Sequence, residues 1–337
     1  MLNTLLNSRW ALEPTYHDRM AMVVLHRLTT GKDPLPAMGE KAKPYLVNPQ
    51  SGLSPVGYKY LEKVPTRSGH VAILPIMGAM SRYGDMCSWG SEDMANWVRE
   101  ANADPMVSAI VLEINSPGGE VDGTEALGQM VKASNKPVVA WVGGMAASAA
   151  YWVASQAKEI WMESESTSEV GSIGVLAVHV DSSKFYENEG HKVTIVRSDG
   201  SEDKALFNSV EPLSEGVMAT TKEALNRIRG TFIETVKSGR PGIAEDVFSG
   251  KMYDGKTAKK KKMADRFGGL LDAVKRADDL ARKQLSDQAR SQNPQSNMLS
   301  KTLSSFFGVK AEEVTEEQEK QVTAVVVSAE EHQKIKG

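Results

Sequence analysis

Two short segments of this 337-residue sequence combine residue types suited to acyl-transfer chemistry. The first is WVGGMAASAAYWVAS at residues 141–155, where an apolar strand is followed by two glycines and by small residues that begin a helix. Ser148 lies at that beginning, where the backbone N–H groups of the first turn have no acceptor within the helix. Such groups can stabilise an oxyanion that forms beside the serine. On this segment alone, the plainer interpretation of Ser148 as a small residue in a tightly packed helix is favoured.

The second segment is INSPGGEVDG at residues 114–123, which follows an apolar strand and precedes a helix. Gly118 and Gly119 are therefore expected at the carboxyl end of a strand, where ligand sites of α/β proteins lie. Without side chains, the two glycines allow backbone N–H groups to approach an oxyanion closely. Pro-Gly-Gly alone is a common turn, but the two segments together are much less common by chance.

The elements around these segments alternate between strands and helices. Apolar runs at residues 71–76, 107–114, 137–142 and 159–163 predict strands, and residues 173–178 and 192–197 add two more. Helices are predicted at residues 91–103, capped by Ser91, and at residues 121–133, 146–156 and 213–237. This alternation predicts an α/β domain with largely parallel pairing.

The composition is that of a globular protein, with 41% hydrophobic and 25% charged residues. A formal net charge of −3 provides no basic field for nucleic acid, so no nucleic-acid partner is expected. The single cysteine, Cys87, excludes an intramolecular disulfide. No secretory signal and no run of about 18 apolar residues is present, so the sequence predicts a cytoplasmic protein without a membrane span.

These residues resemble the signal peptide peptidase A-like serine peptidases, a family related to Clp protease subunits and crotonases. The resemblance rests on the SPGG loop at residues 116–119 and on the GMAAS segment at residues 144–148, and it extends over about residues 65–285. It implies a Clp/crotonase-like spiral of ββα units. It also implies Ser148 as nucleophile, with an oxyanion hole formed by the N–H groups of Gly119 and Ala149.

The general base is expected to be a lysine. None of the six histidines follows the serine in the setting that the Clp pattern requires, which favours a Ser-Lys dyad. In the related peptidases the lysine lies in a polar loop about fifty to sixty residues after the serine, and Lys204 occupies that loop here, with Lys184 and Lys192 as competitors. Glu202 and Asp203 beside Lys204 depart from the simpler family pattern. Ser172 in the GSIG strand is implied as a candidate that orients the base.

Four regions are predicted along the chain: an N-terminal extension at residues 1–64 with a helix near residues 14–28, a peptidase domain at 65–285, a polar linker at 286–298 and a helical, scaffold-like tail at 299–337. The run Lys259–Lys262 replaces a glycine-containing stretch of the family and is expected to be a solvated helix face. The extension and the charged tail resemble the phage head maturation protease branch of the family.

The predicted function is therefore serine endopeptidase activity on capsid, portal or scaffold proteins during prohead maturation, in the host cytoplasm or the prohead. The resemblance implies a homo-oligomer and requires no cofactor or metal. Three alternatives stay open: a host cytoplasmic peptidase that degrades peptides, a catalytically idle scaffold protein, and crotonase-type acyl-CoA chemistry. A serine with a lysine favours hydrolysis over the last of these.

Overall fold

The computed structural model describes residues 9–12, 41–49, 56–57, 69–84 and 88–292. The chain divides into two units, Met1–Leu280 and Ala281–Gly337. The strands of the described residues are β1 (Arg9–Leu12), β2 (Tyr45–Val47), β3 (Val56–Gly57), β4 (His70–Met77), β5 (Val107–Ser116), β6 (Gly118–Glu120), β7 (Val138–Ala147), β8 (Glu159–Met162), β9 (Glu169–Gly171), β10 (Leu176–Ala177), β11 (Met252–Asp254) and β12 (Arg266–Phe267). The helices are α1 (Ser91–Ala103), α2 (Thr124–Lys132), α3 (Ala149–Ala154), α4 (Ser183–Asn188), α5 (Glu215–Gly239), α6 (Gly255–Lys260) and α7 (Leu270–Gln292).

A central sheet is built from the apolar runs that the sequence predicted as strands. Its order is β11-β9-β7-β5-β4-β2-β3, with β8 beside β7, and the strands β4, β5, β7 and β8 are parallel to one another. The strands are almost continuously buried because helices and further strands cover them, which explains runs of Val, Ile and Leu without polar alternation. The predicted α/β class is confirmed.

The helices position the two candidate segments. α3 is buried along its whole length, and the ring of Trp152 stacks on that of Phe232 in α5 with centroids 4.4 Å apart. The side-chain amide of Gln156, just after α3, donates to the carbonyl oxygen of Thr235 in α5 at 2.8 Å. The long helix α5 therefore holds the short helix that follows Ser148.

A second, three-stranded sheet has the order β10-β1-β6. Its middle strand, Arg9–Leu12, comes from the N-terminal extension and pairs antiparallel with β6 on one side and with β10 on the other. Nothing in the sequence predicted this strand.

Several predicted elements differ from the structure. Residues 192–197 form no strand, and of residues 173–178 only Leu176 and Ala177 are in a strand. Helix α1 is capped by Gly90 instead of Ser91: the N–H of Gly90 donates to the Asp93 carboxylate at 3.0 Å, and Ser91 is the first, buried helical residue. The predicted helix near residues 14–28, the tail at 299–337 and Cys87 lie outside the described residues. No helix within the described residues is long and apolar enough to cross a bilayer.

Candidate active site

Ser148 occupies a strained turn between β7 and α3. Its φ of 53° and ψ of −116° put a non-glycine residue in the left-handed half of backbone space, at a cost of about 1–3 kcal/mol. Two hydrogen bonds hold the turn: the N–H of Ser148 donates to Gly171 at 2.8 Å, and its carbonyl accepts from Trp152 at 2.8 Å. A sharp strand-to-helix turn of this kind presents a nucleophile at the end of a sheet.

The side chain of Ser148 is enclosed. It is 0% exposed, and its Oγ donates a long hydrogen bond of 3.4 Å to the carbonyl oxygen of Gly174. Gly174 follows β9, which pairs with the end of β7. The hydroxyl is therefore held at the junction of β7, α3 and the segment after β9.

The SPGG loop is built by Ser116. Its buried Oγ donates to the carbonyl oxygen of Gly78 at 2.6 Å and accepts from the N–H of Gly118 at 3.1 Å. Gly118 has a φ of 89°, which favours glycine. This loop also lies next to the serine turn, because Ser116 pairs with Ala146 across β5 and β7.

The N–H of Gly119 points toward the edge of β6 where β1 lies. Met80 donates to the carbonyl oxygen of Gly118 and accepts from the N–H of Glu120, each at 2.8 Å. Because successive backbone groups of a strand alternate in direction, the N–H and carbonyl of the intervening Gly119 face away from Met80. β6 also packs against α3, whose first residue is Ala149. Its N–H has no acceptor within that helix.

Ser172 lies directly after β9, next to the residue that accepts from Ser148. It is 5% exposed, has a φ of 53°, and its N–H donates to the carbonyl oxygen of Lys251 at 2.8 Å. The structure therefore brings Ser148, Gly119, Ala149 and Ser172 into one region. Their predicted roles stay predictions.

Lys204 is joined to this group by no hydrogen bond among the described residues. Its side chain is exposed, its N–H donates to Ser201 at 3.0 Å, and its carbonyl accepts from Arg197 at 2.6 Å. Within the described residues, its ammonium makes no hydrogen bond to Ser148. The competitors Lys184 and Lys192 are exposed as well. All three belong to residues 176–213, which contain little regular structure.

The histidines of the described residues have other surroundings. His179 Nε2 is 2.6 Å from the carbonyl oxygen of Asn208, and its ring meets Phe207 edge to face. His191 is exposed, and His70 begins β4, at the opposite end of the parallel strands from Ser148. This placement is consistent with a base other than histidine.

The chain is similar to a known peptidase family. Residues 130–284 match the model of peptidase family S49. The match includes Ser148, Ser172 and Lys204, and the predicted resemblance to signal peptide peptidase A-like serine peptidases is confirmed. Gly119 lies just before the matched residues.

Individual relatives of the chain include cellular and phage proteins. Protease 4 of Salmonella typhi is 30% identical over 230 residues, which cover 67% of this chain and 37% of the relative. Capsid assembly protease C of Escherichia phage lambda is 28% identical over 249 residues, covering 69% and 55%. Head-tail preconnector protein GP5 of Enterobacteria phage P21 is 28% identical over 214 residues, covering 60% and 42%. The chain spans less than two thirds of the length of each of these S49-like relatives.

Two features of the site had no sequence signal. The carbonyl of Gly174 contacts the serine hydroxyl, and β1 runs along the edge of β6. Both are contacts between residues far apart in the chain, which periodicity and local motifs do not encode.

Proposed function

We propose that the chain is a serine endopeptidase in which Ser148 attacks a peptide carbonyl and Lys204 is the general base. The observation that carries the proposal is the strained backbone of Ser148 beside the SPGG loop. In that loop, the N–H of Gly119 faces the edge of β6 where β1 lies. Gly119 and Ala149 N–H groups would stabilise the oxyanion, and an acyl-enzyme would be hydrolysed by water. The proposed mechanism uses only side chains, backbone N–H groups and water.

Lys204 would reach the site by assembly of several copies. Residues 176–213 expose large apolar side chains, among them Phe185, Val193 and Val196. A second copy packed on this surface would bury them and remove water from Lys204. Burial favours the neutral form of a lysine, which is the form that can take the proton of Ser148. A homo-oligomer is therefore part of the proposal.

The proposed substrates are capsid, portal or scaffold proteins during prohead maturation. Two of the relatives are phage proteins, and one is called a capsid assembly protease. The second candidate, a host cytoplasmic peptidase, is supported by the 30% identity to Protease 4 of Salmonella typhi.

Co-expression with candidate substrates tests the proposal. The chain is produced beside capsid, portal and scaffold proteins, and fragments are identified by mass. Ser148→Ala should abolish cleavage, and Lys204→Ala should reduce it by about 10²–10⁴-fold. Lys184→Ala and Lys192→Ala are the matched controls and should retain it.

The two candidates and the mechanism separate in this experiment. Cleavage that persists in Ser148→Ala contradicts the assignment of Ser148 as nucleophile. Loss of cleavage in Lys192→Ala or Lys184→Ala, with retention in Lys204→Ala, assigns the general base to Lys192 or Lys184. Cleavage of unfolded peptides but of no assembly protein favours the host peptidase.

A further inference from the structure

Strand β1 joins β6 and β10 into one sheet. It pairs antiparallel with β6, where Ala11 is opposite Gly119. On its other side it pairs antiparallel with β10, where Trp10 is opposite Leu176. Extended peptides commonly bind proteins by adding a strand to a sheet edge, and β1 lies in this manner between two edges.

The register places Ala11 against the proposed oxyanion donor. The N–H and carbonyl of Gly119 face β1, because Met80 binds the carbonyl of Gly118 and the N–H of Glu120 on the other side of β6. In an antiparallel pair, a residue directly opposite such groups exchanges both N–H···O bonds with them. The carbonyl of Ala11 therefore takes the N–H that the proposed mechanism needs for the oxyanion.

This closed arrangement conflicts with activity on other proteins. Ser148 is 0% exposed while β1 is in place, so its hydroxyl meets no peptide carbonyl from solution. β1 has only four residues, and an incoming peptide strand can replace its backbone hydrogen bonds on both edges. The exchange of one strand for the other therefore costs little hydrogen bonding, and its outcome depends on concentration and sequence.

We propose that Arg9–Leu12 is an autoinhibitory strand that competes with the substrate for the edge of β6. This inference rests on the proposed function. A segment tethered to the same chain competes at an effective concentration on the order of 1 mM, so a substrate of similar strand affinity at about 0.1 mM is bound about 10-fold less than without β1. Such competition raises KM and leaves kcat nearly unchanged.

Steady-state kinetics of the full chain on casein test this inference. Ala11→Pro removes the N–H that faces Gly119 and fixes φ, so it should weaken the pairing of β1 and lower KM about 10-fold, with little change in kcat. Thr4→Pro puts a proline in the same N-terminal extension but outside β1, and it should keep the KM of wild type.

A synthetic peptide of residues 7–14 restores the strand from outside. Added to the Ala11→Pro chain, this peptide should raise KM again and should keep its mass during the assay. The same peptide with the Ala11→Pro change is the matched control and should not inhibit. Inhibition by both peptides would contradict strand pairing as its cause.

Amide hydrogen exchange provides a readout that does not depend on cleavage. Exchange of the Gly119 N–H should be at least 10-fold faster in Ala11→Pro than in wild type, because it loses its partner in β1. The unmodified peptide should slow this exchange again. Equal exchange in the two chains contradicts the proposed pairing.

Each failure identifies the part that is wrong. If wild type cleaves casein in a Ser148-dependent way and Ala11→Pro has the same KM, β1 is no inhibitor and the proposed function stands. Loss of cleavage in Ala11→Pro makes β1 a support of the site, and cutting of the synthetic peptide makes the segment a substrate; either result overturns autoinhibition. If neither chain cuts casein, the proposed function fails and the inhibition fails with it.

Discussion

Ser148 differs from an ordinary helix-start serine in its backbone. A serine that only caps a helix has an extended conformation, whereas Ser148 has a φ of 53° and makes no side-chain cap. Such strain persists because hydrogen bonds to Gly171 and Trp152 hold the turn on both sides. The conformation is therefore evidence for function that residue type alone could not supply.

Gly119 is the residue at which geometry most directly limits substitution. A Cβ there would overlap the carbonyl oxygen of Met80 and lie 2.6 Å from its nitrogen. Gly119→Ala should displace β6 and its N–H, and the loss of one oxyanion donor lowers kcat by about 10²–10³-fold. Steady-state kinetics on casein or a peptide provides the measurement. Full activity in Gly119→Ala would exclude this N–H as an oxyanion donor.

At the scale of elements, α5 supports the serine turn through α3. Gly230 lies inside α5, and a Cβ at this position would meet no atom within 4 Å. Gly230→Ala should raise the free energy of unfolding by about 0.5–1 kcal/mol, because alanine loses less backbone entropy in a helix. Urea unfolding measures the change.

Gly239, at the end of the same helix, is the matched comparison for the substitution of Gly230. Its Cβ would overlap the carbonyl oxygen of Ser155 and lie 2.7 Å from the side-chain nitrogen of Gln156. Gly239→Ala should therefore lower the free energy of unfolding although the substitution is chemically identical. Equal effects at both positions would refute this account of how α5 packs against the end of α3.

A second element-level prediction concerns Glu113 in β5. Burial raises the pKa of this carboxyl above its ordinary value of 4.5, while a hydrogen bond from the Tyr45 hydroxyl at 3.2 Å opposes the shift. A raised pKa in the folded state means that folding favours the protonated form. The stability this provides is complete below the ordinary pKa and is lost as pH rises through the raised value.

Glu113→Gln should therefore remove one component of the pH dependence of stability. As pH rises from the ordinary pKa of 4.5 through the raised value, wild type should lose stability relative to the variant, and the difference should become constant above the raised pKa. Urea unfolding at several pH values measures it. Glu125→Gln, on the exposed face of α2, is the control. A difference between wild type and Glu113→Gln that does not vary with pH would contradict the raised pKa.

The elements also divide into those that sequence could and could not predict. β4, β5 and β7 are buried on both faces, so their runs of apolar residues were clear signals. Residues 192–197 have a comparable pattern but pair with no strand. An apolar pattern alone does not reveal whether a second strand is available to pair with it. The pairing of Arg9–Leu12 depends on residues more than 100 positions away, and the positive φ of Ser148 depends on tertiary hydrogen bonds.

At the scale of the whole molecule, the exposed segment at residues 176–213 connects Lys204 with assembly. Val196 is 88% exposed and Phe185 is 64% exposed, and a group of exposed large apolar side chains can mark an interaction surface. The same segment carries Lys204, the proposed base, on an exposed turn. If a second copy covers this surface, oligomer formation and catalysis should depend on the same residues.

Val196→Glu tests that dependence. A charge at a surface buried between copies has to be desolvated, so the variant should shift sedimentation toward smaller species and lower peptidase activity in parallel. Its unfolding free energy as a single chain should change by less than about 0.5 kcal/mol, since Val196 is exposed there. Met218→Glu, at a 54% exposed position on α5, is the control and should leave both sedimentation and activity unchanged.

Val196→Glu with normal sedimentation but lost activity would assign the surface to substrate binding and not to assembly. Full activity in a monomer would mean that Lys204 reaches Ser148 within one chain, or that another group is the base.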